Sequence, residues 1–293
     1  MEKRTILITG HNGFLGSHIV YNLYKDYNII GLDLSYSNNF RIKSILHEIK
    51  NYYIDKTNLN LIFEIHKIDI IIHTATNFGK DGDLQKVIDS NLKLPLQLLQ
   101  LGISFGIKTF INTDTFYTSD YGTLQYYSLS KAQFSDWAKI LSKSIKIINL
   151  KIGVIFGPKD NHDKFTVTII RKMIANEPEI DFTEGYQKRN FLYVEEAARI
   201  YRIIVEQCDL IKLQYNNFNI GDVNTLSIRE YVNIIHRLTE SKSKLNFGII
   251  DYRENEIMNP ESDISEILNL GWKPLLNLEQ ALLETIKYEK SIK

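Results

Sequence analysis

Seven residues near the N-terminus, Gly10-His11-Asn12-Gly13-Phe14-Leu15-Gly16, set glycines at Gly-x-x-Gly-x-x-Gly spacing between an apolar run and an amphipathic one. Such a turn can hold a pyrophosphate. Glycine allows positive φ and close backbone approach, and the first N–H groups of the following helix favour anionic oxygens. Far downstream, Tyr127-Ser128-Leu129-Ser130-Lys131 puts a phenol and an ammonium on one helical face. An ammonium that close favours the phenolate, drawing the phenol from about 10 towards neutrality. A tyrosine so tuned can protonate a carbonyl oxygen while hydride reaches its carbon. The neighbouring Tyr126 lacks a lysine at that spacing. Thr113, at the polar end of Phe110-Ile111-Asn112-Thr113-Asp114-Thr115, can hydrogen-bond the same oxygen. Each feature alone is weak: Tyr-x-x-x-Lys recurs by chance, and a strand-end threonine often just begins a turn. The order of cradle, threonine and Tyr/Lys pair points to redox chemistry on a bound nicotinamide.

The elements that must position these residues are legible. Thr5-Ile6-Leu7-Ile8-Thr9 is a β-branched, apolar run suited to a buried parallel strand, and Phe14, Leu15, Ile19, Val20 and Leu23 fall on one helical stripe. A second strand over 28–33 ends at Asp33, 17 residues past Gly16. A carboxylate there accepts hydrogen bonds from the adenosine ribose and repels a 2′-phosphate, favouring NAD(H) over NADP(H). Arg41 is the nearest following arginine and could still reach such a phosphate. Patterning predicts further strands near 52–54, 68–73, 109–112 and 145–150, and helices over 59–66, 84–105 and 125–141. Steady alternation means a Rossmann-type, doubly wound parallel sheet of the α/β class. After Phe156-Gly157-Pro158 the rhythm loosens into a helix near 166–175, a polar stretch over 177–190, a helix from Val194 and a strand near 217–220. The expected division is a dinucleotide-binding domain of residues 1–157 and 190–223. A smaller, interleaved C-terminal α/β substrate-binding lobe would comprise 158–189 and 224–293.

Thirty-five basic residues balance thirty-five acidic ones, so no broad field draws nucleic acid or an anionic membrane. The single Cys208 excludes an internal disulfide and suits a reducing compartment. The apolar run behind Met1–Arg4 stops at Gly10, too short for a signal-peptide core, and no run has the length of a membrane span. A cytoplasmic protein without a metal site is expected.

On these residues the chain resembles the extended short-chain dehydrogenase/reductases that act on nucleotide-activated sugars. Gly10, Gly13, Gly16, Asp33, Asp55, His73-Thr74-Ala75, Asn91, Thr113, Tyr127 and Lys131 fall in family order almost end to end. The resemblance implies that the Gly10–Gly16 segment, with Asn12, Phe14 and Leu15, holds the dinucleotide. It implies that Asp55 contacts the adenine, Ala75 lines the cofactor, Lys131 also binds the nicotinamide ribose, and Asn91 is a structural polar group. It also admits NADP(H), and homodimers built on the helices bearing the Tyr/Lys pair and its neighbour. More narrowly, residues 110–116, Asp163-Lys164-Phe165, residues 189–194 and residues 253–258 are similar to the branch that reduces the 4-keto group of CDP-4-keto-3,6-dideoxyglucose for O-antigen sugars. That similarity adds Asp114, Lys164, Arg189 and Arg253 as substrate contacts, the arginines clamping the diphosphate. Guanidinium forks suit phosphate oxygens.

Three other activities compete. A 4,6-dehydratase of this family continues Thr-Asp with Glu, whereas Thr115 follows here and cannot serve as the base. A 4-epimerase needs the same tyrosine, lysine and NAD but keeps its cofactor through turnover. A regulatory binder on the same fold has no need of Thr113, Tyr127 and Lys131 together.

Overall fold

Alternation of short β-branched strands with helices gives the computed structural model a seven-stranded sheet. The model describes residues 3–35, 38–117, 124–260 and 263–292. The strands are β1 (Thr5–Thr9), β2 (Asn28–Asp33), β3 (Lys50–Tyr53), β4 (Ile70–His73), β5 (Thr109–Thr115), β6 (Lys146–Ile152) and, much later in the chain, β11 (Tyr215–Ile220). Their spatial order is β11-β6-β5-β4-β1-β2-β3, and every pairing from β3 through β6 is parallel. The order reverses between β1 and β4, the point where the strand ends of an open α/β sheet leave a crevice.

The chain divides into two compact units, Met1–Ile152 with Ala198–Asn219, and Gly153–Ala197 with Ile220–Lys293. In the first unit, Leu7, Ile30, Ile71, Phe110 and Ile147 line one sheet face. They pack against Ile62 and Phe63 of α2 (Leu59–Ile65), Leu98 and Leu99 of α4 (Leu94–Ser104), and Phe134 and Ala138 of α5 (Gln125–Leu141). Their strand neighbours Ile6, Ile8, Ile70, Ile72, Ile111 and Ile148 are buried as well, so both faces are covered. On α1 (Phe14–Leu23), Leu15, Ile19, Val20 and Leu23 are buried, as the stripe requires.

The single helix expected over 84–105 is three pieces. Helix α3 (Leu84–Ile88) runs into a π turn over Asp89–Lys93 and then into α4. Pro95 lacks the N–H that an α-helix would direct to the Asn91 carbonyl, so the ladder widens locally. Asn91 is thereby buried. Its amide donates to Asn77 O at 2.8 Å and Ser130 Oγ at 2.9 Å, and its Oδ1 accepts from Asn77 N and Thr76 Oγ1.

The second unit has its own core. Helices α6 (Phe165–Ile174), α8 (Ile228–Thr239) and α10 (Leu278–Ser291), the last preceded by the short α9 (Ser265–Asn269), bury Ile170, Met173, Val232, Ile235 and Leu282 with Phe156, Phe182 and Phe191. Capping boxes Ser227/Glu230 and Asn277/Gln280 start α8 and α10. Three strand pairs complete it: β7 (Val154–Phe156) with β10 (Phe191–Tyr193), β8 (Glu179–Phe182) with β13 (Lys244–Phe247), and β9 (Lys188–Arg189) with β12 (Leu226–Ser227). The segment read as a polar stretch over 177–190 thus carries two strands. Because β7 pairs with β10, the first unit ends at Ile152 and not at 157. Helix α7 (Val194–Gln207) starts in the second unit and continues in the first from Ala198.

Candidate active site

The cradle forms where β1 turns into α1. Gly10 adopts φ +68°, and a Cβ on it would lie 2.8 Å from Ala75 N, so Gly10 rests directly on the end of β4. At Gly16 a Cβ would overlap the Gly10 carbonyl oxygen and come within 2.9 Å of Thr74 Oγ1. These glycines permit a strand–helix approach that any side chain would prop open. The N-cap of α1 is Gly13, with no side-chain cap and no acidic residue in the first turn. The amides of Phe14, Leu15 and Gly16 therefore start the helix without a carboxylate competing for them, an arrangement that fits an anionic pyrophosphate.

Asp33 ends β2 beside this turn. Its carboxylate accepts from Asn12 N at 3.1 Å and Leu34 N at 2.8 Å. His11 lies against β2: a Cβ on Gly31 would sit 2.6 Å from its Cγ, and its Nε2 is 2.7 Å from Asn51 Oδ1. Burial lowers the His11 pKa, against the opposing pull of Asp33, so the ring favours its neutral form. Asp55 is exposed after β3 and accepts from the Ser35 amide at 2.8 Å and from the Ser35 hydroxyl. Ile54 N donates to Asp33 O at 2.8 Å, which brings both carboxylates to one rim. Buried Arg41 donates to Asn12 O at 3.3 Å and lies over the Phe40 ring, so it borders the cradle as well.

The reactive groups gather at the end of β5. Tyr127 and Lys131 are both buried on α5. Lys131 Nζ donates to Thr113 O at 2.9 Å and stands 6.0 Å from the centre of the Tyr127 ring. The Phe78 ring covers Tyr127 at 4.9 Å between centroids. The expected lowering of the phenol is not found. Burial pushes the Tyr127 pKa well above its usual range, and the Thr115 hydroxyl opposes this only in part. Lys131 carries the cost of burial too, its pKa pulled down to about 8 although Asp114 pulls it up. Desolvation outweighs the mutual influence of the pair, because the ammonium is directed to a backbone carbonyl and not to the phenol oxygen.

Thr113 and Asp114 point to different surroundings, as successive strand residues must. Thr113 Oγ1 lies 2.7 Å from the hydroxyl of Tyr201, a buried residue of α7 that nothing in the motif pattern singled out. Asp114 was expected to touch substrate. Its Oδ2 instead accepts from Asn149 Nδ2 at 2.7 Å and Ser135 Oγ at 3.0 Å, and its Oδ1 from Thr115 N at 2.8 Å. Asn149 also bonds Asn112 and Asn217, so the carboxylate belongs to a buried strand-end network. A polar residue inside the otherwise apolar Ile147–Leu150 run was the available signal for it.

Lys164, Arg189 and Arg253 lie in the second unit. Lys164 is the residue immediately before α6, and Arg253 is exposed. Arg189 is buried in β9, donates to Lys188 O and Ile257 O at 2.6 Å each, and pairs with the buried Glu256 carboxylate. Arg189 thus holds the segment that begins with Arg253, where Glu256 N turns back onto Arg253 O at 3.2 Å. Among the described residues no three His, Cys, Asp or Glu side chains are grouped to hold a metal ion, and no helix is long and apolar enough to cross a membrane.

A doubly wound parallel sheet with a glycine turn between β1 and α1 and a buried Tyr/Lys pair on α5 is the arrangement of the extended short-chain dehydrogenase/reductases. The chain belongs to the NAD dependent epimerase/dehydratase family, whose model matches residues 6–221. NAD is the cofactor of that family, in line with Asp33. The chain is 28% identical to a CDP-abequose synthase of Salmonella muenchen, over 98% of this chain and 99% of that protein. It is 26% identical to a UDP-glucuronate 4-epimerase of Thermodesulfobacterium geofontis, over 97% and 95%. Among solved structures, a UDP-N-acetylglucosamine 4-epimerase of Methanobrevibacter ruminantium superposes over the full length of both chains with a TM-score of 0.87 at 22% identity. A UDP-glucuronic acid 4-epimerase of Bacillus cereus, with NAD and a fluorinated substrate analogue, gives 0.86 at 23%, over 99% of this chain and 100% of that one.

Proposed function

We propose that this protein reduces the C4 ketone of a nucleotide-linked deoxyhexose, CDP-4-keto-3,6-dideoxyglucose or a close 4-keto-6-deoxy relative, for the synthesis of a surface-polysaccharide sugar. The observation that carries the reading is the buried Tyr127 and Lys131 pair on α5, with Lys131 Nζ donating to Thr113 O at 2.9 Å at the end of β5. Burial favours the protonated phenol, the form that a proton donor to a ketone needs. When bound, NADH supplies the hydride. Tyr127 Oη gives its proton to the O4 oxygen and afterwards regains one from water. Lys131 fixes the Thr113 carbonyl and offers its ammonium to the nicotinamide ribose, and Thr113 Oγ1 steadies O4. Gly10, Asn12, Gly13, Phe14, Leu15 and Gly16 hold the pyrophosphate turn, Asp33 the adenosine ribose, Asp55 the adenine side, and Ala75 the far wall.

The Asp114 network supports a reductase over a dehydratase. Both carboxylate oxygens are taken up by chain donors, and Thr115, where a dehydratase carries Glu, is a neutral hydroxyl. For the substrate, Lys164 is assigned as a contact and Arg189 and Arg253 to the diphosphate, with Arg189 exchanging Glu256 for phosphate oxygens. The 4-epimerase reading is favoured by Asp33 and by the NAD-bound relatives of like fold. Parallel incubations distinguish the two: the CDP-, dTDP-, GDP- or UDP-linked 4-keto sugar with NADH, and the corresponding 4-hydroxy sugar with NAD. A reductase consumes NADH stoichiometrically with product from the ketone, whereas interconversion of the 4-hydroxy sugar and its C4 epimer with no net change in NAD would mean epimerisation. Tyr127→Phe should lower kcat by about 10² while keeping cofactor affinity; near-normal turnover would remove the tyrosine from the chemistry.

The reading extends to a homodimer. Tyr126, Leu129, Trp137 and Ile140 are exposed on α5 at spacings that put them on one face, next to exposed Leu84 and Ile88 of the contacting α3. An apolar stripe of this kind fits burial against its own copy across a two-fold axis.

A further inference from the structure

We infer that Tyr201 is a positioning residue for the reaction: it donates its phenolic hydrogen to Thr113 Oγ1 and so leaves the Thr113 hydrogen directed to the substrate oxygen. The inference deepens the proposed function and rests on its assignment of Thr113 to O4. Tyr201 carries the one hydroxyl in the sequence of α7, among the buried Ala197, Ala198, Ile200, Ile204 and Val205. Packing alone would be served by phenylalanine, since a buried hydroxyl is costly unless it is bonded. Among the described residues its hydroxyl bonds one group, Thr113 Oγ1 at 2.7 Å.

The direction of that bond follows from what each oxygen can do. Burial keeps Tyr201 protonated at any working pH, so it has one hydrogen to place and Thr113 Oγ1 to receive it. Thr113 then uses a lone pair on Tyr201 and keeps its own hydrogen. Its backbone is fixed as well, because Lys131 holds its carbonyl at 2.9 Å. A threonine held at both ends has one remaining polar function, donation from Oγ1. A ketone oxygen gathering negative charge during reduction needs a second donor of that kind beside Tyr127.

The test is a double-mutant cycle on Tyr201→Phe and Thr113→Val, using whichever of ketone reduction and 4-epimerisation the wild-type protein performs. Tyr201→Phe should lower kcat about tenfold, the scale of one hydrogen bond lost at the reacting oxygen. Substrate KM and NADH affinity should hold, and the thermal midpoint should fall by no more than a few degrees, the cost of one buried hydrogen bond. The double variant should be no slower than Thr113→Val alone, because Tyr201 acts only through that hydroxyl. A Tyr201→Phe enzyme with wild-type kcat, or losses that multiply in the double variant, overturns the inference. Wild-type protein without either turnover rejects the proposed function, and a second readout then judges Tyr201 separately. In crystals with NAD, Tyr201→Phe should turn the Thr113 side chain to another rotamer, and a retained rotamer overturns the pairing.

Discussion

Replacing Lys131 by methionine should make the protein more stable at neutral pH while destroying its activity. Lys131 is 2% exposed, and desolvation lowers its pKa from 10.5 to about 8. A lysine with a depressed folded-state pKa binds its proton less well in the native chain than in the unfolded one. Below pH 8 the native protein holds that proton anyway and bears the full penalty, which is about 3 kcal/mol at roughly 1.4 kcal/mol per tenfold change. Between pH 8 and 10.5 the unfolded chain binds more protons, so wild-type stability rises with pH through that window. Methionine fills the same space without charge, but it gives up the bond to Thr113 O, worth about 1 kcal/mol. The net gain at pH 7 is therefore about 2 kcal/mol, shrinking to nothing near pH 10. Urea unfolding of the cofactor-free protein at pH 7 and pH 10, with both variants in the same buffers, measures it. A Lys131→Met protein less stable than wild type at pH 7, or a gain that does not change with pH, would refute the reasoning.

Other expectations concern the cradle, the cofactor and the assembly. Gly16→Ala drives a Cβ into the Gly10 carbonyl, a strain of about 1–3 kcal/mol that should weaken NADH binding about tenfold in titration calorimetry; unchanged affinity would mean the turn is not the pyrophosphate site. Asp33→Asn removes the charge proposed to face the adenosine ribose and should move the NADH/NADPH affinity ratio about tenfold towards NADPH, with Arg41 nearby to receive a phosphate. A wild-type protein that already prefers NADPH would overturn the use made of Asp33. Trp137→Glu on the α5 stripe should convert a dimer to monomer by light scattering, and a variant that stays dimeric would place the interface elsewhere.

Local chemistry was the legible part. The glycines, Asp33 and the end of β4 are close in sequence to the strands that carry them, and strand alternation alone puts those ends on one rim. Tyr127 and Lys131 were readable because helical spacing fixes their common face. Their electrostatics were not, because the sign depends on how deeply α5 is buried and on where the ammonium points. Tyr201 escaped for a different reason: its partner is 88 residues away, and on its own helix it looks like one more core aromatic. The partners of Asp114 were not legible, because the strand-end motif shows that a carboxylate is present but not that Asn149 and Ser135 close over it. The second unit was the least readable, since its strands have two to four residues and pair across long separations.

The widened turn at Asp89–Lys93 makes this helix intolerant of changes in length. Removing one residue there would swing Asn91 by about 100° around the axis relative to α4. Its amide would then abandon the Asn77 loop and Ser130, three residues beyond Tyr127, so the loss would be felt at Tyr127 without that residue having been altered. Point changes on the outer side of the same turn carry no such penalty, and insertions or deletions, more than substitutions, are what this stretch should resist.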